Sequence, residues 1–524
     1  QKCEEIRTAF DNDYEGAFAD QAAKSIHWYN PDNKSWLQQS QSGKWQGWRC
    51  VDIGPISMEQ WVPWNNVIND DFKPCYKWFD GSLTNAAFNE VDRHVLGGQG
   101  NEAAFIYEGE EWDSSAYGGL GRPVYEGTIS RKELFMQSVV AAVALKELGL
   151  KSGDRIALFL PNIIDQVVWI QGAKRLGVIY TSIYSELSSK TLADRLEQVE
   201  AKVVITANSA TKSGESISLK DSVVDIALSQ FVSSKKVIEI VDQLATEYCE
   251  PVLAREISLR VIDTLRDQIT TTPAVVLHEV GDVLIEQGGL DAIHSINFRT
   301  TLLNKIRQIE VATKNVIVIE NPCAEGVSWN LVEDRDFAAA TMLEQAMNQV
   351  CNTLGLEQSK ELEKMAGPEL VAALWDVCPC EPLPGSFPLF ISYSSGLTGR
   401  PKPIVHTHSG IAIGAYNTVK ICFDPKPGRD VLYVTADPGG IIGQSCLISS
   451  SLVNRITGVL VEGSHIYPNA GRFASVIYRR QVTILITKAS MIQDFMLDTE
   501  KQRLIESYDL SSLRVASFSS EPIN

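Results

Sequence analysis

Between Val124 and Ala207 the chain alternates short apolar runs with helical periodicities, and the alternation resumes from Leu389 to Asn524. No other feature restricts the fold as much. Strands covered on both faces read as continuous apolar runs, and pairing them in parallel demands a crossover, usually a helix. Thr128-Ile129-Ser130 precedes a predicted helix over Arg131–Leu148, with Leu134, Val139, Val140, Val143 and Leu145 at its apolar positions. Ile156–Leu160, closed by Pro161-Asn162, predicts a buried strand. A helix from Ile163 to Leu176, a strand at Val178–Tyr184, a helix at Thr191–Val199 and a strand at Ala201–Ala207 follow. In the second stretch strands are predicted at Leu389–Ser392, Asp430–Thr435, Gly458–Glu462, Val482–Thr487 and Leu513–Phe518. Helices are predicted at Ser409–Cys422, Ile442–Val453, Gly471–Arg480 and Ser490–Glu500. The pattern is α/β, with mostly parallel sheets flanked by helices.

Two blocks interrupt it. Residues 232–314 are almost purely helical, with Leu253, Ile257, Val261, Leu265 and Ile269 recurring every four positions, which predicts a small bundle. After a strand at Val316–Glu320, a second helical block covers residues 337–385. Neither block carries a catalytic motif; His278-Glu279 lacks the second His of a zinc-protease helix. Residues 1–125 are rich in Trp, Asn, Gly and Asp and weakly periodic. They predict a wrapping region of short helices and long loops, with Trp112–Gly121 an exposed loop. A chain of 524 residues exceeds the ~250–300 at which one core stops growing. The expected division is 1–125, a first α/β subdomain at 126–231, a helical insertion at 232–314, a return to the core at 315–336, a second insertion at 337–385, and a second α/β subdomain at 386–524.

The net charge of −18 disfavours nucleic acid and anionic membrane surfaces as partners, while leaving room for a small anion in a local positive pocket. No apolar run approaches the ~18 residues that span a bilayer. Gln1-Lys2-Cys3-Glu4-Glu5 starts no signal peptide, and the missing Met predicts a sequence that begins inside a longer chain. The ten cysteines are widely spaced. The close pair, Cys378 and Cys380, has no zinc spacing, so buried thiols in a reducing cytoplasm are expected, with no metal site. His406 and His408, one residue apart, do not suggest one either.

One segment carries chemistry: Ser392-Tyr393-Ser394-Ser395-Gly396-Leu397-Thr398-Gly399-Arg400-Pro401-Lys402, led in by Leu389-Phe390-Ile391. Glycines let the backbone approach a ligand, successive N–H groups in such a turn make an anion-binding concavity, and the hydroxyls and Lys402 add donors and charge. By physical reasoning this is a phosphate-holding loop, and by composition alone equally a flexible one. It is not a Walker A loop, because Arg-Pro follows Gly399.

The order of residues resembles the phosphate loop of the adenylate-forming superfamily, with Ser394 and Leu397 departing from its core pattern and Pro403 replacing a glycine. Lys77–Gly81, Asn85, Asn89, Asp92-Arg93-His94, Leu148–Pro161, Leu192–Arg195, Lys202–Ala207, Thr435-Ala436-Asp437, Glu462-Gly463 and Ser520–Asn524 are similar to the acetyl- and propionyl-CoA synthetase branch. The two helical blocks resemble insertions, as in the ligase domain of fused propionyl-CoA synthases, where further enzyme domains share the polypeptide. The resemblance implies the large N-terminal domain of that fold. It also implies an AMP-forming acid–thiol ligase with ATP, Mg2+, coenzyme A and a short carboxylate (acetate, propionate or 3-hydroxypropionate) as ligands.

By the same resemblance, Ser394, Ser395, Gly396, Leu397, Thr398, Gly399 and Lys402 hold the ATP phosphates, and Ser520, Glu521 and Pro522 the adenine. Ile441 and Ile442 line the acyl pocket, and Lys212 contacts CoA. Taken bare, Lys402 and Lys212 are surface lysines and the two isoleucines are core. Glu215 and Ile466 stand where the branch has an arginine and an asparagine near CoA, while Gly440 replaces a tryptophan and Gln444 a histidine. In relatives the lid domain with the catalytic lysine lies after the adenine segment, so residues 1–524 alone are expected to be inactive. Two alternatives stay open: a degenerate domain acting as a scaffold, and an adenylating enzyme with a non-CoA acceptor. Homo-oligomerisation is also open.

Overall fold

The computed structural model describes residues 2–29, 61–74, 76–116, 119–287, 292–324, 327–394 and 401–521. Two sheets organise them. The first has seven strands in the order Asp336–Ala338, Asn315–Ile319, Val203–Ala207, Arg155–Leu160, Ile179–Tyr184, Pro388–Tyr393 and Pro403–Thr407. All neighbours are parallel except the last pair, which is antiparallel. The second has six strands in the order Val515–Phe518, Ile484–Thr487, Val431–Val434, Thr457–Val461, Ala103–Glu108 and Glu126–Ser130, again parallel but for the last pair. Every residue of Val203–Ala207 and of Ile484–Thr487 is buried, which is why those runs are apolar without alternation.

The helix Arg131–Glu147 begins at Ser130, whose hydroxyl accepts the Glu133 amide while the Glu133 carboxylate accepts the Ser130 amide. It packs on Ile164–Leu176 at a close crossing. A β-carbon at Gly172 would lie 3.0 Å from that of Ala141 and from the Ala142 nitrogen, so any larger residue there would have to push the two helices slightly apart. One large core joins both sheets. Helices Ser234–Tyr248, Pro251–Leu265, Pro273–Gln287 and Ala292–Arg307 enclose a separate one, in which Leu253, Ile257, Val261 and Leu265 are all buried.

The Asn85, Asn89, Asp92-Arg93 run is structural. Asn85 Nδ2 donates to the carbonyls of Lys174 (3.1 Å) and Glu381 (2.9 Å), and Asn89 Oδ1 accepts the His27 amide at 2.6 Å. Glu90 and Asp92 form buried ion pairs with Lys174, at 2.7 Å, and with Arg175.

The structure corrects several expectations. Strand Ala103–Glu108, placed by its sequence in a loop-rich region, lies inside the six-stranded sheet. The Trp112–Gly121 loop opens on a two-residue ribbon, Trp112–Asp113 paired with Arg122–Pro123. Within the first helical block, Val232–Ser233 pairs with Thr270–Thr271. The helix expected at Ser490–Glu500 breaks at Asp498, whose carboxylate accepts the amides of Glu500 and Lys501 and starts a new helix, Thr499–Glu506. Residues Gly443–Ser449 form a π-type turn ahead of the short helix Ser450–Val453. Cys351, Cys378 and Cys380 are buried thiols, but Cys422 is exposed. Among the described residues no helix is long and apolar enough to cross a membrane.

Candidate functional site

The parallel strands of both sheets end towards a common seam. Asn162, after Arg155–Leu160, donates from Nδ2 to the Val461 carbonyl at 3.2 Å. Asn321, after Asn315–Ile319, donates to Glu462 Oε1 at 2.6 Å, and Tyr107 donates to the other oxygen of that buried carboxylate at 2.5 Å. A β-carbon on Gly439, in the loop after Val431–Val434, would sit 2.6 Å from the Tyr184 amide nitrogen. Loops at the carboxyl ends of parallel strands are the usual ligand-binding edge of an α/β fold.

On the first sheet that edge includes the base of the predicted phosphate turn. The Ser394 amide donates to the Lys402 carbonyl at 3.1 Å, one step beyond the last register pair, Tyr393 with Pro403. Ser394 is half-buried and Lys402 exposed; Ser395, Gly396, Leu397, Thr398 and Gly399, between them, lie outside the described residues. The base of the hairpin is stiff. Ser392 Oγ bonds His406 Nε2 at 2.9 Å, the His406 ring stacks on Phe390 (4.6 Å), and Phe390 stacks on Tyr180 (5.4 Å). The Arg195 guanidinium lies 4.2 Å from the Tyr393 ring centre. His408 Nδ1 instead accepts the Ala86 amide at 3.1 Å, so each of the two histidines has its own protein partner.

The loop from Asp437 to Ile442 is wound tightly. Asp437 Oδ1 accepts the Gly439 amide at 2.6 Å, and the Asp437 carbonyl accepts the Gly440 amide at 3.0 Å. Gln444, in place of the branch's histidine, donates from Nε2 to the Pro438 carbonyl at 2.5 Å and accepts the Tyr180 hydroxyl at 2.9 Å. Ile441 is exposed, whereas Ile442 is half-buried against the main core. Burial pushes the Asp437 carboxyl up to about 6, with Glu186 adding to the shift and the Gly439 amide opposing it.

Lys212 ends one strand of the hairpin Ser209–Lys212/Glu215–Ser218 and pairs with Glu186 at 2.9 Å. Together with Asn162, Thr211, Asp437 and Gly463 these two residues line a narrow cleft. The buried Glu110 carboxylate fixes one wall, accepting the amides of Gly214 (3.1 Å) and Ser464 (2.6 Å). At the far end of the second sheet, Ser520 is exposed with φ +72°. The Glu521 carboxylate accepts the Ser490 amide at the start of helix Ala489–Leu497, and that bond holds the carboxyl below its usual range. Pro522 lies outside the described residues.

The structure thus brings Lys212 and Asp437 to one cleft, whose lining does not include Ile441 or Ile442, with the Ser394–Lys402 base and the Ser520–Glu521 turn on the same edges of the two sheets. Sequence reasoning missed Tyr184, Glu186 and Glu110, and gave Asp437 no role. The Asp437-Pro438-Gly439-Gly440 turn immediately after a strand was the available signal. Among the described residues no group of three or more His, Cys, Asp or Glu side chains is arranged to hold a metal ion.

Comparison with known proteins bears on this geometry. The family described as AMP-binding enzyme matches residues 111–261 and 307–524. The unmatched interval contains helices Pro273–Gln287 and most of Ala292–Arg307. The chain is similar to acetyl-coenzyme A synthetase of Paraburkholderia phymatum, 26% identical over 464 residues, covering 88% of this chain and 52% of that protein. It is similar to that of Cupriavidus metallidurans, 26% identical over 514 residues, covering 98% and 54%. For that of Pasteurella multocida, the figures are 28% over 464 residues, 88% and 52%. The chain spans about half the length of these curated relatives. With the family match extending over more than half of its residues, and with a mostly parallel two-sheet fold behind that match, the chain belongs to the AMP-binding enzyme family, the adenylate-forming superfamily that includes the AMP-forming acyl-CoA synthetases.

Proposed function

We propose that the chain acts in the ATP-dependent activation of a short carboxylic acid, with acetate, propionate and 3-hydroxypropionate as the candidate substrates. A carboxylate oxygen attacks the α-phosphate of MgATP, giving an acyl-adenylate and pyrophosphate. The thiol of coenzyme A then attacks the acyl carbon and releases AMP. Chemistry of this kind depends on positioning and charge neutralisation more than on covalent help from the protein.

The residues assigned are Ser394, Ser395, Gly396, Leu397, Thr398, Gly399 and Lys402 for the phosphates, and Ser520, Glu521 and Pro522 for the adenine. Ile441 and Ile442 are assigned to the acyl group and Lys212 to coenzyme A. What supports this reading most is the shared carboxyl edge of the two sheets, because it gathers loops from distant parts of the chain. A cytoplasmic setting, where ATP and coenzyme A are available, goes with it.

The test is acid-dependent ATP–pyrophosphate exchange by the full-length protein, scanned over short carboxylic acids. Exchange with at least one of the three, followed by thioester formation, is expected. No exchange with any acid would overturn the proposal in favour of a scaffold. One observation favours a second reading, adenylation with an acceptor other than coenzyme A: Glu186 already neutralises Lys212. Exchange without a coenzyme A thioester would select it.

A further inference from the structure

We propose that the Asp437 carboxylate takes the proton from the incoming thiol in the second half-reaction, a role that rests on the ligase reading above. Asp437 stands three residues beyond the end of strand Val431–Val434 and lines the same cleft as Lys212 and Glu186. Its own loop leads within five residues to Ile441 and Ile442. On the assignments above, a thiol entering beside Lys212 meets this carboxylate in the cleft that both residues line.

The loop holds it still. The Gly439 and Gly440 amides bond its side chain and its carbonyl, and Gln444 anchors the next carbonyl. At Gly443 a β-carbon would lie 2.2 Å from the Asp437 carbonyl oxygen, and at Gly439 2.6 Å from the Tyr184 nitrogen. Backbone thus packs against backbone on both sides. A carboxylate fixed in this way loses no further freedom when a substrate arrives.

Among the described residues the Gly439 amide is the one hydrogen-bond donor to the carboxylate, which leaves Oδ2 free to accept a proton. The groups facing it are Tyr184, which ends strand Ile179–Tyr184 of the other sheet, Glu186 two residues later, and Lys212 on the hairpin, the last paired with Glu186. Burial and then Asp437 push the Tyr184 phenol up, so it stays neutral beside the carboxylate. A carboxyl titrating near 6 is ionised at neutral pH yet more basic than an ordinary Asp, which suits a proton acceptor working there.

The step balances without any further reagent. A sulfur–carbon bond forms at the acyl carbon. The carbon–oxygen bond to the adenylate phosphate breaks, with AMP taking the electron pair. The thiol proton passes to Asp437 and from there to water.

The experiment measures two rates on the full-length protein: acid-dependent pyrophosphate exchange, and thioester formation from preformed acyl-adenylate and coenzyme A across pH 5 to 9. In Asp437→Asn, which keeps an oxygen for the Gly439 amide, the ratio of thioester formation to exchange is expected to fall about 100-fold. The acidic limb of the thioester profile, near pH 6 in the wild type, is expected to disappear. In Glu186→Gln, loss of a neighbouring negative charge is expected to move that limb to lower pH. An unchanged ratio, an equal loss in both rates, or an acidic limb surviving in Asp437→Asn would overturn the proposal. Absence of exchange in the wild-type protein would instead sink the ligase reading beneath it.

Discussion

The phenolic oxygen of Tyr184 fills the space in front of Gly440: a β-carbon at position 440 would lie 2.0 Å from it. The contact crosses from one sheet to the other, and it accounts for the absence of a bulky side chain at 440. Tyr184 is partly exposed, so its ring has somewhere to go. Gly440→Ala is expected to cost about 1–2 kcal/mol, and much less in a Tyr184→Ala background, a coupling of about 1 kcal/mol. Gly443→Ala meets backbone instead and is expected to cost about 3 kcal/mol with no such rescue. Urea unfolding midpoints of the four variants check both statements.

The Lys174–Glu90 pair is wholly buried, at 2.7 Å, with Gln171 also donating to Glu90. Lys174→Met strands a carboxylate in the core and is expected to lower stability by about 3–5 kcal/mol. Adding Glu90→Gln removes the stranded charge, so the double variant is expected to be more stable than the single one. A double variant no better than Lys174→Met would show that the pair's charge is not what the site depends on.

Burial lowers the pKa of His27, His94, His406, His408 and His465. His27, His408 and His465 are each pushed down to about 3, with Arg93, Lys174 and Arg472 respectively adding to the effect. His408 illustrates why: its Nδ1 accepts the Ala86 amide, which a protonated ring cannot do. Below about pH 6.5 the unfolded chain protonates these rings and the folded one does not, so stability falls as pH drops from 6.5 towards 3. His408→Asn is expected to shrink the stability lost between pH 7 and pH 5 by about 2 kcal/mol, measured by denaturant titration at the two pH values.

Ile257 is fully buried in the bundle core, which is separate from the main one. Ile257→Ala is expected to cost the bundle about 2–5 kcal/mol. Hydrogen exchange should accelerate across 234–307 while strand Val203–Ala207 keeps its protection. Equal acceleration in both would mean that the two cores unfold together.

Elements with a strong local period were legible from sequence. The helix at Arg131, the strands at Arg155 and Ile179, and the bundle stripe from Leu253 to Leu265 lie where periodicity puts them, within a residue or two. What escaped were features settled by distant partners. Ala103–Glu108 is a short run beside acidic residues, and it becomes a sheet strand by pairing with Gly458–Val461 on one side and Glu126–Ser130 on the other. Glu521 reads as part of a ligand motif, yet its carboxylate also holds the start of a helix thirty-one positions earlier. Lys212 reads as a free cation until the fold sets Glu186 beside it. The candidate phosphate turn is marked in the sequence by glycines and hydroxyls in a characteristic order, whereas the carboxylates around the cleft carry no such local mark.

The helical bundle leaves the chain between strand Val203–Ala207 and strand Asn315–Ile319, and those two strands are immediate neighbours, paired from Val203 with Asn315 to Ala207 with Ile319. Because the pair is parallel, the chain leaves beside Ile319 at one end of the ladder and re-enters at Asn315, beside Val203, at the other, so the excursion is a crossover whatever its length. An evolving gene can lengthen, trim or exchange that excursion without altering any rung of the ladder, so the region most free to diversify hangs from one of the most constrained pairings in the molecule.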